Sequence, residues 1–542
     1  MSAVAEPPAP ASSASAPAVT APGRVTRARA RIERSPRLFT VLGLALLVLA
    51  SVYLRTRALT AKLWIDEGLS IGIAHHPLLD IPGVLEQDGS PPLYYMLLHV
   101  WMSLVGGDGE ERTHALSVLF AVTTIPVGWW AGRRLFGTRS AWATAGLFAT
   151  IPFLTFYAQE TRMYALVALL GLLAVTAFSL AYPMRERRAI PAFSVSVVLL
   201  VYTHNWGFFL AAGMAVALLV LWRTAPAPVN RGLLRDGLLG FGGAALLYLP
   251  WVPTLIRQAQ HTGAPWAARP PLDGLIKGLQ VTVGGTETAL VVVVVGAAGL
   301  TTLRAGREGA LTQPRARVAL ALGVALIAGA LLAWLASQAS PAWAARYFAV
   351  FIGPALLLAG AGLVRGGKIG FVALAIVLIL WFDPRDRQIK GKSDVYRVTR
   401  TLSDNGLVAK GDLVVSVHPE QLPVLRYYLG DGFRWADALG PVADNRIFDW
   451  RDATDRLEAA GPKRTLDKLA PSVKRGQSLI LVLPILRTGE WGAPWTSLIR
   501  RRAPQWERAL DHDRRFERIA PVPRFDYRPL PRGVRAVVYL RR

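Results

Sequence analysis

From residue 38 to residue 382 long apolar runs recur, separated by polar breaks most of which carry arginine. Eleven runs of this kind fall at roughly 38–54, 113–131, 140–157, 163–182, 189–203, 206–222, 237–256, 283–303, 318–337, 347–364 and 368–382. Such runs are read as helices that cross a bilayer. They lack the short alternating segments of an outer-membrane barrel. One further run, PPLYYMLLHVWMSLVG at 91–106, is short once its two prolines are set aside. It suits a helix lying in the interface, with Tyr94, Tyr95, His99 and Trp101 at headgroup level. After residue 382 the pattern changes. DLVVSVH (412–418) and SLILVLPI (478–485) are short apolar runs bounded by turn residues and read as buried strands, and FERIAPV and VRAVVYL read as later strands. PEQLPVLRYYLG and WRDATDRLEAAGPKRTLDKLA read as helices. The predicted fold class is a polytopic α-helical membrane protein, with about eleven transmembrane helices plus juxtamembrane helices, and a small C-terminal α/β soluble domain.

Charge orients this pattern. Of the 542 residues, 52% are hydrophobic and only 18% are charged, yet the net charge is +25. If 91–106 does not span, one set of loops collects Arg133, Arg134 and Arg139, then Arg185, Arg187 and Arg188, and so on to Arg365 and Lys368. The opposite set holds DGEER, YAQETR, THNW and SPAWAAR, a split that obeys the positive-inside rule. If 91–106 did span, every later loop would break the rule. The N-terminus is therefore predicted inside and the C-terminal domain outside, in a bacterial cytoplasmic membrane. Residues 1–37, rich in Ala, Pro and Ser before turning basic, are predicted to form a disordered cytoplasmic tail rather than a cleaved signal peptide. Residues 38–382 are the predicted membrane domain and 383–542 the predicted extracytoplasmic domain. The basic balance needs no nucleic-acid partner, since no zinc-ligand spacing or RNA-binding signature is present. The chain has no cysteine, which excludes disulfides and thiolate chemistry.

The outer loops gather the candidate chemistry. In LWIDEGLSIG (63–72), Asp66 and Glu67 follow an apolar run at a membrane surface, where carboxylates are costly. A carboxylate there can take a proton from a hydroxyl, and a neighbouring one can hold a hard divalent cation such as Mg²⁺ or Mn²⁺. The plainer reading is a solvated acidic turn. YAQETRMYAL (157–166) places Tyr157, Glu160, Arg162 and Tyr164 at a span boundary. A guanidinium matches phosphate oxygens, and Glu160 is a candidate to join the first-loop carboxylates around a metal. An interfacial tyrosine–arginine belt is the plainer reading. QDGSPPLYY adds Asp88, YTHNW adds His204 and AARYF adds Arg346 and Tyr347, with snorkelling or interfacial hydrogen bonding as the alternatives. No P-loop, nucleophile elbow, HExxH or dinucleotide fingerprint occurs, so an energised donor on this side has to be carried by lipid.

Taken in order, WIDEG after the first run, D-x-x-PPLYY, RRLFG, YAQETRMYAL, YTHN and a late RYF resemble the GT-C glycosyltransferases, nearest to the bacterial protein O-mannosyltransferase and aminoarabinose-transferase-like membrane enzymes. The resemblance covers about 38–382. It implies an inverting transfer of a sugar from a polyprenyl phosphate at the outer face to a glycan, lipid or protein acceptor, and family habit points to mannose or arabinose. It implies that Asp66 is the base, that Glu67 and Glu160 belong to the acidic loops, and that 64–75 and 91–106 are juxtamembrane helices. Relatives often carry His or Lys before the Pro-Pro, where this chain has Ser90. Arg162 and Arg346 are then the candidates for the donor phosphate. Tyr94, Tyr95, Tyr157, Tyr164, His204 and Tyr347 complete the candidate donor-binding set. Two other classes stay open: a lipid or glycan flippase, which predicts discontinuous helices, and a non-catalytic glycan-binding membrane protein.

Overall fold

The structure is a computed structural model and describes residues 36–225, 227–304, 313–485, 493–522 and 533–542. The expected N-terminal tail lies outside these residues as far as residue 35. Residues 47–542 form one compact unit, which holds everything described below from Leu47 onward.

All eleven apolar runs are helical, but they are not equally long. Seven helices are long and apolar enough to cross a membrane: Arg37–Thr56, Glu110–Phe136, Tyr164–Ala181, Gly207–Thr224, Asn230–His261, Pro314–Ala339 and Ala345–Arg365. An eighth crossing arises if the pair Gly274–Thr282 and Thr286–Thr301, bent by 94°, counts as one. The run at 140–157 is broken into Thr138–Thr150 and Pro152–Tyr157, because a proline follows Ile151 and disfavours helical backbone there. Ile190–Thr203 and Gly367–Trp381 have 14 and 15 residues. At 1.5 Å per residue these last two reach only ~20 Å, short of the ~30 Å hydrocarbon thickness. The interfacial run folds as Leu93–Val105, 13 residues ended by Gly106 in a left-handed conformation.

The C-terminal region holds a six-stranded sheet: β1 (Leu413–Ser416), β2 (Arg434–Asp437), β3 (Gly440–Pro441), β4 (Ser478–Ile485), β5 (Phe516–Pro521) and β6 (Gly533–Arg541). Its order is β3-β2-β1-β4-β6-β5. β1 is parallel to both β2 and β4, whereas β6 runs antiparallel to β4. β1 is buried along its whole length, as expected for a parallel strand covered on both faces. Four of the strands match the sequence reading; β2 and β3 are too short and too polar to show periodicity.

The helix Ile65–Ala74 joins the two parts. Trp64, Ile65 and Leu69 belong to the same apolar core as Val415, Leu481, Trp450 and Trp495 of the C-terminal region. The close approach depends on glycine. A Cβ at Gly68 would sit 2.6 Å from Val424 Cβ, and one at Gly72 would overlap the Arg446 carbonyl oxygen.

Candidate active site

The first turn of Ile65–Ala74 sends its two carboxylates to different places. Glu67 is at the third helical position, where its carboxylate accepts the Trp64 backbone N–H at 3.2 Å, half of a capping box. The same buried group accepts His114 Nε2 at 2.7 Å and the Thr161 N–H at 2.8 Å, and it pairs with Lys392 Nζ at 2.6 Å. Burial works against its charge, but Lys392 and then His114 hold the Glu67 carboxyl well below the usual range. Glu67 thus ties together the helix Glu110–Phe136, the 158–163 bend and the segment that leads to the C-terminal sheet. It does not line the cavity.

Asp66 does. It opens into a cavity of about 270 Å³ lined also by Asp88, Ser90, Arg162, His204, Asn205, Arg346 and Tyr347. Asp66 Oδ2 lies 3.8 Å from Arg162 Nη2 and 3.8 Å from Arg346 Nη2. That atom is buried and accepts no hydrogen bond among the described residues. Arg162 is fixed from behind, since its Nη1 donates to the Asp66 carbonyl at 3.2 Å and to Ser70 Oγ at 3.1 Å. Its bend is pinned by Ser117 Oγ, which donates to the Glu160 carbonyl at 2.7 Å. Arg346 precedes the helix Ile352–Arg365, and its guanidinium carbon lies 5.2 Å from the Trp266 ring and 5.5 Å from the Tyr347 ring.

Tyr157, Tyr164, His204 and Tyr347 form one aromatic wall. Tyr157 meets Tyr164 at 4.9 Å, and His204 meets Tyr347 at 4.6 Å. His204 Nδ1 accepts the Trp206 N–H at 3.1 Å. Burial, reinforced by Arg162 and Arg346, pushes the imidazole down to about 3. His204 is therefore neutral at pH 7 and adds no positive charge. Asp88 is carried by a loop held through Asn205 Nδ2 to the Gly89 carbonyl (3.3 Å) and Gln258 Nε2 to the Ser90 carbonyl (3.2 Å). Burial pushes the Asp88 carboxyl up.

Of the sequence candidates, Asp66, Asp88, Arg162, His204, Arg346 and Tyr347 meet at the cavity. Tyr94, Tyr95, Tyr157, Glu160 and Tyr164 are not among its lining residues and stand behind or beside them. Asp66, Glu67 and Glu160 do not gather as metal ligands. Among the described residues, no group of three or more His, Asp or Glu is arranged to hold a metal ion. The sequence reading missed Trp64, Trp266, Trp450 and, above all, His418, Glu420 and Gln421 after strand β1, which line the same cavity. Their one sequence signal is VHPEQ, a polar cluster directly after a buried strand.

The fold is shared with several solved membrane-protein structures. The chain is similar to ArnT from Cupriavidus metallidurans bound to undecaprenyl phosphate: 14% identity, 92% of this chain and 97% of that one, TM-score 0.58. It is also similar to AglB, an archaeal oligosaccharyltransferase from Archaeoglobus fulgidus in complex with an inhibitory peptide and a dolichol phosphate, at 11% identity over 90% of this chain and 74% of that one, TM-score 0.53. Arabinofuranosyltransferase AftD from mycobacteria matches over 93% of this chain and 40% of its own length, with 15% identity and a TM-score of 0.53. No family model matches the chain, and no curated protein sequence matches it. The chain is a multi-pass membrane protein.

Proposed function

We propose that the chain is an inverting glycosyltransferase that moves a sugar from a polyprenyl phosphate to an acceptor hydroxyl at the outer face of the cytoplasmic membrane. One observation carries the reading: a buried carboxylate oxygen, Asp66 Oδ2, faces a cavity beside two guanidinium groups and accepts no hydrogen bond among the described residues. The two fold relatives named above with bound carriers hold undecaprenyl and dolichol phosphate.

In this reading the acceptor O–H gives its proton to Asp66 as its oxygen attacks the anomeric carbon. A new C–O glycosidic bond forms, and the bond from the anomeric carbon to the phosphate oxygen breaks. The electron pair leaves with the polyprenyl phosphate, which turns from a singly charged diester into a doubly charged monoester. Arg162 and Arg346 meet that growing charge, in a site where fixed cations act without reorganising. Glu67 is a positioning residue. Asp88, which lines the same cavity, is a further polar contact for the sugar. The C-terminal domain stands outside the membrane and the N-terminal tail inside.

The test is Asp66→Asn in proteoliposomes supplied with a polyprenyl-phosphate sugar. Loss of the base should lower transfer by about 10²–10⁴-fold, with an unchanged unfolding midpoint. Undiminished transfer by folded Asp66→Asn protein rejects the role. The flippase reading is favoured by a single observation, the 94° break between Gly274–Thr282 and Thr286–Thr301. It predicts carrier movement without a new glycosidic bond, which the same vesicles report.

A further inference from the structure

The sheet of the C-terminal region opens, at the carboxyl ends of β1 and β4, into the cavity that holds Asp66. β1 has parallel neighbours on both sides, β2 and β4, so the connections at its carboxyl end diverge. In an open α/β sheet such a switch point leaves a crevice, and ligands bind there. The loop after β1 carries His418, Glu420 and Gln421, and all three line the cavity, as does Pro484 near the carboxyl end of β4.

This loop is built rather than loose. Val417 N donates to the Val482 carbonyl at 3.0 Å, Gln421 N to the His418 carbonyl at 2.9 Å, and Ser416 Oγ to the His418 carbonyl at 2.7 Å. His418 and Gln421 are 4% and 1% exposed. Even so, Gln421 Oε1 and His418 Nδ1 have no hydrogen-bond partner among the described residues. A buried polar atom without a partner costs free energy, and a site that expects a ligand leaves its polar atoms in this state. Glu420 Oε1 lies 2.6 Å from His418 Nε2, so the carboxylate and the imidazole stand side by side.

The chemistry of this edge differs from that around Asp66. Both cavity arginines are engaged at Asp66. The domain instead contributes a carboxylate–imidazole pair, a primary amide and, from a neighbouring loop, the indole of Trp450. Amide, imidazole and carboxylate present donors and acceptors to neutral hydroxyls. An aromatic face takes the apolar side of a pyranose ring.

We infer that the loop 417–421 is a saccharide subsite, which holds a neutral, hydroxylated acceptor over Asp66 and selects the hydroxyl that is glycosylated. This deepens the glycosyl-transfer reading and rests on it for the word acceptor. Binding of a saccharide at the loop does not depend on transfer.

Purified full-length protein is titrated with methyl α-glucoside, methyl α-mannoside and methyl α-galactoside, followed by tryptophan fluorescence, and separately with undecaprenyl phosphate, followed by thermal shift. At least one glycoside is expected to bind at millimolar concentration. Gln421→Met, which keeps the volume and removes the amide, should weaken that binding about tenfold and leave the carrier-induced thermal shift as in the unaltered protein. His418→Phe should behave likewise, and Arg346→Ala should do the converse. The inference is overturned if no glycoside binds at tens of millimolar, or if a folded Gln421→Met variant binds as the unaltered protein does. It is overturned as to class if a serine-containing peptide binds in place of every glycoside. Glycoside binding that is sensitive to Gln421→Met, in a protein that ignores undecaprenyl phosphate, supports the subsite and removes the transfer reading.

Discussion

Adjacent carboxylates in one helical turn do opposite jobs here. Asp66 has an oxygen left for chemistry, while Glu67 is consumed by three side-chain or backbone partners beyond its own cap. Removing one partner of a buried ion pair leaves the other charges uncompensated, at about 3–5 kcal/mol. Glu67→Gln is therefore expected to lower the unfolding midpoint and the yield of monodisperse protein in detergent, with activity per folded molecule less affected. The reverse pattern, a stable Glu67→Gln protein without transfer, would place Glu67 in the chemistry. Arg346 argues for charge with shape. Its planar group lies against Trp266 and Tyr347 while within ion-pair distance of Asp66. Lysine keeps the charge but loses the stacking and the fork. Arg346→Lys should lower kcat/KM for the lipid-linked donor about tenfold, a cost of ~1–2 kcal/mol shared between binding and the transition state.

At the scale of elements, the helix Ile65–Ala74 is a hinge pin between the membrane helices and the C-terminal sheet. Its i, i+4 glycines let the backbone of other segments touch it directly, at Val424 and at Arg446. Gly72→Ala puts a methyl where the Arg446 carbonyl already stands. Overpacking of this kind costs about 1–3 kcal/mol, so the midpoint should fall and the cavity edge near Asp66 should shift. Gly83→Ala is the control, since a Cβ there meets nothing within 4 Å. Equal stability of the two variants, by differential scanning fluorimetry, would contradict the close packing.

For the whole molecule, one clasp outside the cavity is pH-sensitive. His76, just past the hinge helix, has its Nε2 2.7 Å from Asp444 Oδ2, and its Nδ1 faces the Gly72 and Ile73 carbonyls. The hydrogen bond to Asp444 raises the His76 value, against a smaller opposing effect of burial and of Arg446. A raised histidine contributes stability that is fully present below pH ~6.5 and is lost as pH rises through the folded value. Asp394 acts in the same direction at lower pH. Burial pushes it up to about 6, so its contribution fades between pH ~4 and about 6. The unfolding midpoint should thus fall from pH 5 to pH 8, and His76→Gln should flatten the upper half of that slope. The membrane orientation has its own test, made simple by the absence of cysteine. A membrane-impermeant maleimide should label Ser340→Cys and spare Lys368→Cys in intact cells, since both positions are exposed but lie on opposite sides of the positive-inside split.

Properties carried by local pattern were legible along the chain: eleven helical runs, four strands of the sheet, two short helices at 65–74 and 93–105, and the residue types that come together as a site. Apolar periodicity and turn residues act within a few positions, so they can be read in order along the chain. Only tertiary structure decided which of two neighbouring acids has a free oxygen, because that depends on Lys392, His114 and Thr161 arriving from elsewhere. Only tertiary structure brought His418 and Gln421 to Asp66, since a crevice exists only once strands lie side by side. Helix lengths fell on the same side of that line. The run 283–303 is apolar enough to span, but the 94° bend between its helix Thr286–Thr301 and the preceding Gly274–Thr282 depends on what they pack against.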